Sequence, residues 1–410
     1  MQPSTPAKSP YIACSLSVLA ALALSAVSQH SLSAENGLGW DGSQYAGMTS
    51  QCWHETISAF EPFVYRIGAP CIAALLPGTP KTSLFTLNLG ASVLFMFLLT
   101  AWLRRFVPDT VVGWLVAGMA MHWLGPLRYT WWYPTYIDPL ALCAIVGGLL
   151  LRDRAVAFVL VCTAGAFVRE TVLVVPAALA IGRCVTIAKG GAASFARLLR
   201  SLLADTPFRN ALAGSVAGGA SLLIAHAGVT PASDYWMADS AIYWAYTKPL
   251  PSYVLAWFIT FGPMLALPLV RPRVVFRFLA TSPEYVILLV AIACMAWVGG
   301  SDTERFLLWS APVVLLLVGI AAADVDWQAG KGPLVLLGLG QMLSGRWFFT
   351  TPTTSIESLG HSWPILTPLH ARQVEDLLSL TPDRVAGSAA LIQYSVLTIT
   401  LLLWLRRRAV

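Results

Sequence analysis

The chain has 410 residues, of which 57 % are apolar and only 11 % are charged, and its mean hydropathy is +0.69. Soluble domains carry about 25 % charged residues, so this composition excludes an ordinary soluble enzyme, a disordered chain and a fibrous protein. The net charge of +6 does not indicate a nucleic-acid partner, because basic loops are the usual orientation signal of a membrane protein. We therefore expect an all-α, polytopic transmembrane helical bundle.

Long apolar runs divide the chain into about twelve membrane segments. They lie roughly at 11–27, 82–103, 110–124, 136–151, 155–168, 171–182, 211–227, 253–270, 284–298, 306–322, 333–345 and 388–405. Several are shorter than the ~20 residues of a full crossing, and some of these are expected to pair as short hairpins. The predicted organisation is a transmembrane module over 1–345 with a first outer loop at 28–81, an outer loop at 346–387, and a final transmembrane helix with a basic tail at 388–410.

Lysines and arginines set the orientation. With both termini in the cytoplasm, 17 of the 26 basic residues fall on the inner side, as the positive-inside rule favours. The run 11–27 also has features of a cleavable signal peptide, and in either case the next loop lies outside. One inner segment, 189–210, predicts an amphipathic helix on the membrane surface, because apolar residues recur at helical spacing between its arginines.

The seven cysteines predict no metal centre. Five of them lie in apolar runs, where cysteine behaves as a small apolar residue. Cys52 and Cys71 share the first outer loop and are able to pair. No CxxC or Cys/His spacing typical of a metal site occurs, so no cofactor and no metal ligands are predicted, although a divalent metal stays open.

Charged residues gather in the outward segments, close to the ends of the spans. The groups include Asp41 and Arg66 in the first loop, Arg128 and Asp138 further on, Arg169-Glu170 between two short runs, and Asp302, Glu304 and Arg305 before a late run. Charges at membrane depth are costly and usually face an internal cavity. Each group alone can equally be a salt bridge between spans, but five clusters on one side favour a site that opens outward.

Five short motifs resemble the GT-C glycosyltransferase superfamily, which includes the protein O-mannosyltransferases and the mannosyltransferases of GPI-anchor assembly. The first is Trp-Asp-x-x-x-Tyr at 40–45, just past the first span. A Tyr-Arg precedes a Pro at 65–70, an Asp-Pro stands at 138–139, an Arg-Glu-Thr at 169–171 and an Asp-Thr-Glu-Arg at 302–305. The form is most similar to uncharacterised bacterial branches, which implies a bacterial inner (plasma) membrane and amphipathic helices in the first outer loop.

The resemblance implies inverting transfer of a sugar from a polyprenyl-phosphate carrier to an acceptor on the outer face. The acceptor would be a glycan, a lipid or a protein. It implies Asp41 as the general base that takes the acceptor proton; the alternative is an N-cap of the following helix. Arginine suits a leaving phosphate. The implied roles are phosphate binding for Arg66, Arg169, Arg305 and Arg128, and orientation or acceptor binding for Tyr45, Asp138, Glu170, Asp302 and Glu304.

Two other classes of function stay open at this point. A transporter or flippase of a polar or lipid-linked substrate would also place charges in a cavity. A non-catalytic subunit of a membrane assembly would keep such charges only as ion pairs. The charges at the outer ends of the spans, rather than at their middle, favour the transferase.

Overall fold

A computed structural model describes residues 10–28, 31, 34–122, 125–190, 194–233, 237–248, 250–300 and 303–325, together with the scattered positions 337, 338, 341, 395, 396, 399, 400, 402 and 403. The structure is almost entirely helical, which confirms the predicted all-α class. The predicted loop 346–387 lies outside the described residues, as does most of the predicted final helix at 388–410.

Nineteen α-helices occur in the described part of the chain. They are α1 Pro10–Ser28, α2 Ala34–Gly37, α3 Trp40–Gln51, α4 Gly68–Ala73, α5 Pro80–Leu103, α6 Asp109–Met121, α7 Pro126–Trp132, α8 Asp138–Leu151, α9 Ala155–Val168, α10 Val174–Lys189, α11 Phe195–Ala204, α12 Thr206–Gly228, α13 Met237–Thr247, α14 Leu250–Phe261, α15 Ala266–Val270, α16 Pro272–Thr281, α17 Pro283–Val298, α18 Thr303–Leu308 and α19 Ala311–Ala323. Short 3-10 helices span Phe63–Tyr65, Glu170–Leu173 and Gly262–Leu265.

Several helices are long and apolar enough to cross a membrane. Within the described residues there are five such segments, at Pro10–Val27, Pro80–Leu103, Asp109–Trp132, Glu170–Lys189 and Thr206–Gly228. The bent pair α16 and α17 makes a sixth if it is counted as one span. Helices α8, α9 and α19 are apolar but have only 13 or 14 residues, about 21 Å at 1.5 Å per residue. The apolar runs before residue 325 are therefore helical, but they do not all have the length of a span.

The long helices pack against their neighbours on one face and expose apolar side chains on another face. Helix α12 lies against α9, where a Cβ at Gly214 would come within 2.6 Å of the Phe158 ring. On the outward flanks Leu16, Leu160 and Val216 are 61–65 % exposed. Large apolar residues exposed on several long helices indicate a surface that contacts lipid rather than water.

The bundle has two chemically different ends. At the first, which we name the basic end, Arg105 donates to the carbonyl of Leu150, Arg152 pairs with Glu284 at 3.3 Å, and Arg183 pairs with Asp205. Helices α10, α12 and α17 run from there to the second end, which holds a large cavity. The predicted amphipathic segment 189–210 lies at the basic end. In the described part of this segment, α11 is a separate helix. It ends before Asp205, which caps the next helix, α12, by accepting from the Phe208 amide.

The segment 28–81, which the sequence predicts as the first outer loop, contains several short elements in its described part. It contains α2, α3, α4 and the strand β1 Ser58–Ala59, which pairs in parallel with β2 Thr230–Pro231 after α12. A disulfide joins Cys52 at the end of α3 to Cys71 in α4. The loop is thereby fastened both to itself and to the segment that follows α12.

Candidate functional site

A cavity of about 450 Å³ opens at the end of the bundle opposite the basic end. Its wall combines three arginines, two carboxylates, two serines and several aromatic or small residues. They are Asp41, Phe60, Glu61, Pro62, Phe63, Arg66, Arg169, Ser233, Ser240, Trp244, Gly299, Gly300, Arg305 and Phe306. Four sequence-predicted site residues, Asp41, Arg66, Arg169 and Arg305, therefore share one cavity.

Asp41 is placed by the backbone at the start of α3. Gly39 precedes the helix with φ +74°, a conformation that glycine adopts without strain. The amides of Asp41 and Gly42 both donate to the hydroxyl of Tyr133, at 2.9 and 3.2 Å. The helix cap is Gly39, which makes no side-chain capping bond. The Asp41 carboxylate is thus directed into the cavity and is not the N-cap of α3.

Arg305 links Asp41 to a buried carboxylate behind the wall. Its Nη2 donates to Asp41 Oδ2 at 2.8 Å, and its Nε lies 3.7 Å from Asp138 Oδ2. Asp138 opens α8, is fully buried, and accepts from Arg169 and from the indole of Trp309 at 3.0 Å. Two arginines from distant segments thus meet one buried carboxylate, which fixes their positions relative to Asp41.

Arg66 belongs to a second ion pair on the same wall. Its Nε and Nη2 donate to the two oxygens of Glu170 at 3.0 and 2.7 Å, and its Nη1 donates to the Tyr45 hydroxyl at 3.1 Å. Burial lowers the pKa of the Arg66 guanidinium, but Glu170 and Tyr45 outweigh that effect, so the net shift is upward. Burial also raises the pKa of Tyr45. The pair fastens the first outer loop to the 3-10 helix after α9.

Arg169 differs from Arg66 in how its donors are used. It is only 2 % exposed, lies with its guanidinium carbon 4.5 Å from the centre of the Trp309 ring, and forms a buried pair with Asp138. Its Nε has no hydrogen-bond partner among the described residues. A buried donor without an acceptor is costly, and in this respect Arg169 differs from Arg66, each of whose nitrogens has an acceptor.

The remaining predicted residues that the structure describes do not line the cavity. Arg128 is buried on α7 and does not line the cavity. Glu304 is buried on α18, and Tyr45 lies behind Arg66. Asp138 is 0 % exposed, so its place fits the orienting role rather than contact with an acceptor. Asp302 falls outside the described residues. No group of three or more metal-ligating side chains occurs within the described part.

Sequence reasoning missed several contributors to the site. Glu61 and Trp244 line the cavity, Tyr133 holds the start of α3, and Trp309 contacts both Asp138 and Arg169. Glu61 was visible as an acidic residue of the same loop as Asp41. Trp309 lies within an apolar run, where nothing in its spacing distinguishes it from a residue that only fills space.

The arrangement can bind an anion next to a carboxylate. Arg169 and Arg305 present guanidinium groups, which match phosphate in shape and charge, on the wall that also carries Asp41. Aromatic side chains such as Trp244 and Phe306 offer flat faces for a sugar ring or a lipid chain. Comparison of the chain with protein-family models, with curated proteins and with solved structures gives no match.

Proposed function

We propose that the protein is an integral-membrane glycosyltransferase with a GT-C-like bundle of about twelve segments. It would move a sugar from a polyprenyl-phosphate carrier to a glycan, lipid or protein acceptor on the outer face, with inversion. The observation that carries the proposal is the cavity in which the Asp41 carboxylate meets the guanidinium of Arg305 at 2.8 Å, beside Arg169. A base and a phosphate-binding pair then face the same space.

The chemistry divides between these residues. The acceptor hydroxyl attacks the anomeric carbon while its proton passes to Asp41, and the bond from that carbon to the phosphate oxygen breaks. The leaving phosphate takes the electron pair, and Arg169 and Arg305 stabilise its charge. Attack from the face opposite the leaving group inverts the anomeric centre. Asp138 and Glu170 act as positioning residues for the three arginines.

The ion pair between Asp41 and Arg305 couples donor binding to base activation. In the structure the Arg305 guanidinium holds one oxygen of the Asp41 carboxylate. A donor phosphate competes for Arg305 and so weakens its hold on Asp41. Asp41 is then released toward the acceptor hydroxyl only when the donor is present, which limits wasteful hydrolysis of the donor by water.

The outward position of the cavity rests on two features. The arginine-rich basic end matches a cytoplasmic surface by the positive-inside rule. At the other end the first outer loop carries the disulfide between Cys52 and Cys71, and disulfides persist in oxidising compartments outside the cytoplasm. We therefore infer a bacterial inner-membrane location with the cavity facing outward.

The test is complementation of a strain that lacks the protein, read as its profile of lipid-linked sugars. Asp41→Asn keeps the size of the side chain but removes the proton acceptor, so turnover should fall by about 10²–10⁴-fold and the polyprenyl-phosphate sugar should accumulate as in the deletion strain. Asp239→Asn is the matched control, because Asp239 is an exposed carboxylate of α13 that does not line the cavity. It should restore the wild-type profile.

A binding measurement on the purified variant distinguishes a loss of catalysis from a loss of folding. Purified Asp41→Asn protein should still bind radiolabelled polyprenyl phosphate, because Arg169 and Arg305 are unchanged. Full complementation by Asp41→Asn would remove Asp41 from the chemistry and favour a transporter or a non-catalytic subunit. Accumulation of the donor on one side of the membrane, with no glycan missing, would favour the transporter.

A further inference from the structure

Two short amphipathic helices, α11 and α16, lie at the basic end, far along the chain from each other. Helix α11 buries Leu202 against the bundle but leaves Phe195, Leu199 and Leu203 exposed by 80, 44 and 53 %. At 100° per residue, Arg197 and Arg200 lie on the opposite face of the helix from Phe195. The exposed apolar flank therefore lies between the protein and the arginines.

Helix α16 repeats this arrangement in an unrelated sequence. Val275 is buried, Phe276 is 69 % exposed, and Arg273 and Arg277 are exposed one helical turn apart. The helix makes an angle of 105° with α17 across a one-residue break. If α17 crosses the membrane, α16 lies nearly in the plane of its surface.

The carboxylates of the basic end are already engaged by other arginines. Every acidic residue described there has such a partner, in the pairs Asp109 with Arg104, Asp153 and Glu284 with Arg152, Asp205 with Arg183, and Asp324 with Arg271. Neither α11 nor α16 contains an acidic residue. Within the described part of the chain, the guanidinium groups of α11 and α16 therefore have no carboxylate to neutralise them.

The two helices also converge. Asp205, directly after α11, pairs with Arg183, and Glu284, directly after the break that follows α16, lies against Gly182 of the same helix α10. The residues that follow α11 and α16 therefore both contact α10 at positions 182–183. The four arginines of the two helices therefore belong to the same end of the bundle.

We propose that α11 and α16 form a binding surface for the headgroups of anionic phospholipids in the leaflet at the basic end. The exposed phenylalanines and leucines enter the acyl region, and Arg197, Arg200, Arg273 and Arg277 bind the lipid phosphates. A soluble anionic partner would satisfy the arginines but would leave the adjacent apolar flanks in water. Lipid satisfies both features, and the inference does not depend on the proposed glycosyl transfer.

The experiment measures lipid preference around the full-length protein in phosphatidylcholine vesicles. Electron paramagnetic resonance of spin-labelled phosphatidylglycerol and phosphatidylcholine gives the relative association constant of the two lipids. The wild type should prefer phosphatidylglycerol, and the preference should fall at about 1 M NaCl, where the Debye length is about 3 Å. Replacing the four arginines by glutamine should reduce the ratio toward one.

Two variants serve as controls. Replacing the same four arginines by lysine keeps the charge and should keep most of the preference, which excludes a general folding defect. Lys81→Gln removes a half-buried basic residue at the start of α5 and should leave the ratio unchanged. The matched single variant Arg277→Gln should lower it. A ratio of one for the wild type would overturn the proposal and would favour a soluble polyanion as the ligand of these arginines. An unchanged ratio in the folded quadruple glutamine variant would overturn it as well.

Discussion

Gly42→Ala should displace Asp41 without altering any charged group. A Cβ at this position would lie 1.8 Å from Thr135 Oγ1 and 2.7 Å from Thr135 Cβ. The first distance is about 1.6 Å short of the 3.4 Å at which ordinary contact begins. Thr135 cannot easily rotate away, because its hydroxyl donates to the carbonyl of Leu38. The first turn of α3 must therefore move.

The size of the effect follows from this geometry. A shift of more than 1 Å breaks a hydrogen bond of 2.8 Å, so the contact between Asp41 and Arg305 should be lost. Overpacking of this kind costs about 1–3 kcal/mol of stability. Gly47, in the same helix, has no neighbour within 4 Å of an added Cβ. Gly47→Ala should be neutral or stabilising by up to about 1 kcal/mol.

The assay compares the two alanine variants in detergent by thermal unfolding and in the deletion strain by complementation. Gly42→Ala should unfold at a lower temperature and fail to complement, whereas Gly47→Ala should do neither. Adding Thr135→Ala to Gly42→Ala removes the nearest atom and should rescue part of the stability. Equal stability and equal activity of the two glycine variants would refute the close contact that places Asp41.

Two further predictions concern other parts of the molecule. Replacing Cys52 and Cys71 by serine opens a loop with a sequence separation of 19 residues, which should lower the free energy of unfolding by about 3 kcal/mol. In intact cells, a reductant that cannot cross the membrane should make both thiols of the wild-type protein accessible to labelling. If the disulfide is protected from that reductant, the loop lies inside. The bond from Arg183, with that from the Phe208 amide, lowers the pKa of Asp205. The stabilisation by the ionised Asp205 is present at pH values above the ordinary pKa of an aspartate and is lost as the pH falls below about 4. Below that pH the thermal stability of the wild type should therefore drop more steeply than that of Asp205→Asn, which keeps the cap.

The sequence predicts helices well and spans less well. Hydropathy reports the solvent around a segment, so the apolar runs before residue 325 all coincide with helices. It does not report where the backbone breaks inside an apolar run. The predicted run 253–270 becomes α14, a 3-10 helix and α15, with Gly262 at φ +69° between them. The predicted run 306–322 is likewise divided between α18 and α19.

The predicted site residues illustrate a similar limit. Their common location follows from topology, because the segments that hold Asp41, Arg66, Arg169 and Arg305 all lie at the end of the bundle opposite the basic end. Their individual contacts depend on which side chains face each other across the bundle, and spacing along the chain contains no such information. Arg128, which the sequence placed with the others, is buried on α7 away from the cavity surface.

The ion pairs explain why the arginines are not equivalent. Arg66 donates to Glu170 with two of its nitrogens and to Tyr45 with the third, so three of its five N–H groups already have an acceptor. Arg169 keeps a donor without a described partner, and Arg305 is shared between Asp41 and Asp138. A ligand anion therefore gains most from Arg169 and Arg305. In the proposed mechanism Arg66 holds the first outer loop against the 3-10 helix after α9, through Glu170, and against α3, through Tyr45.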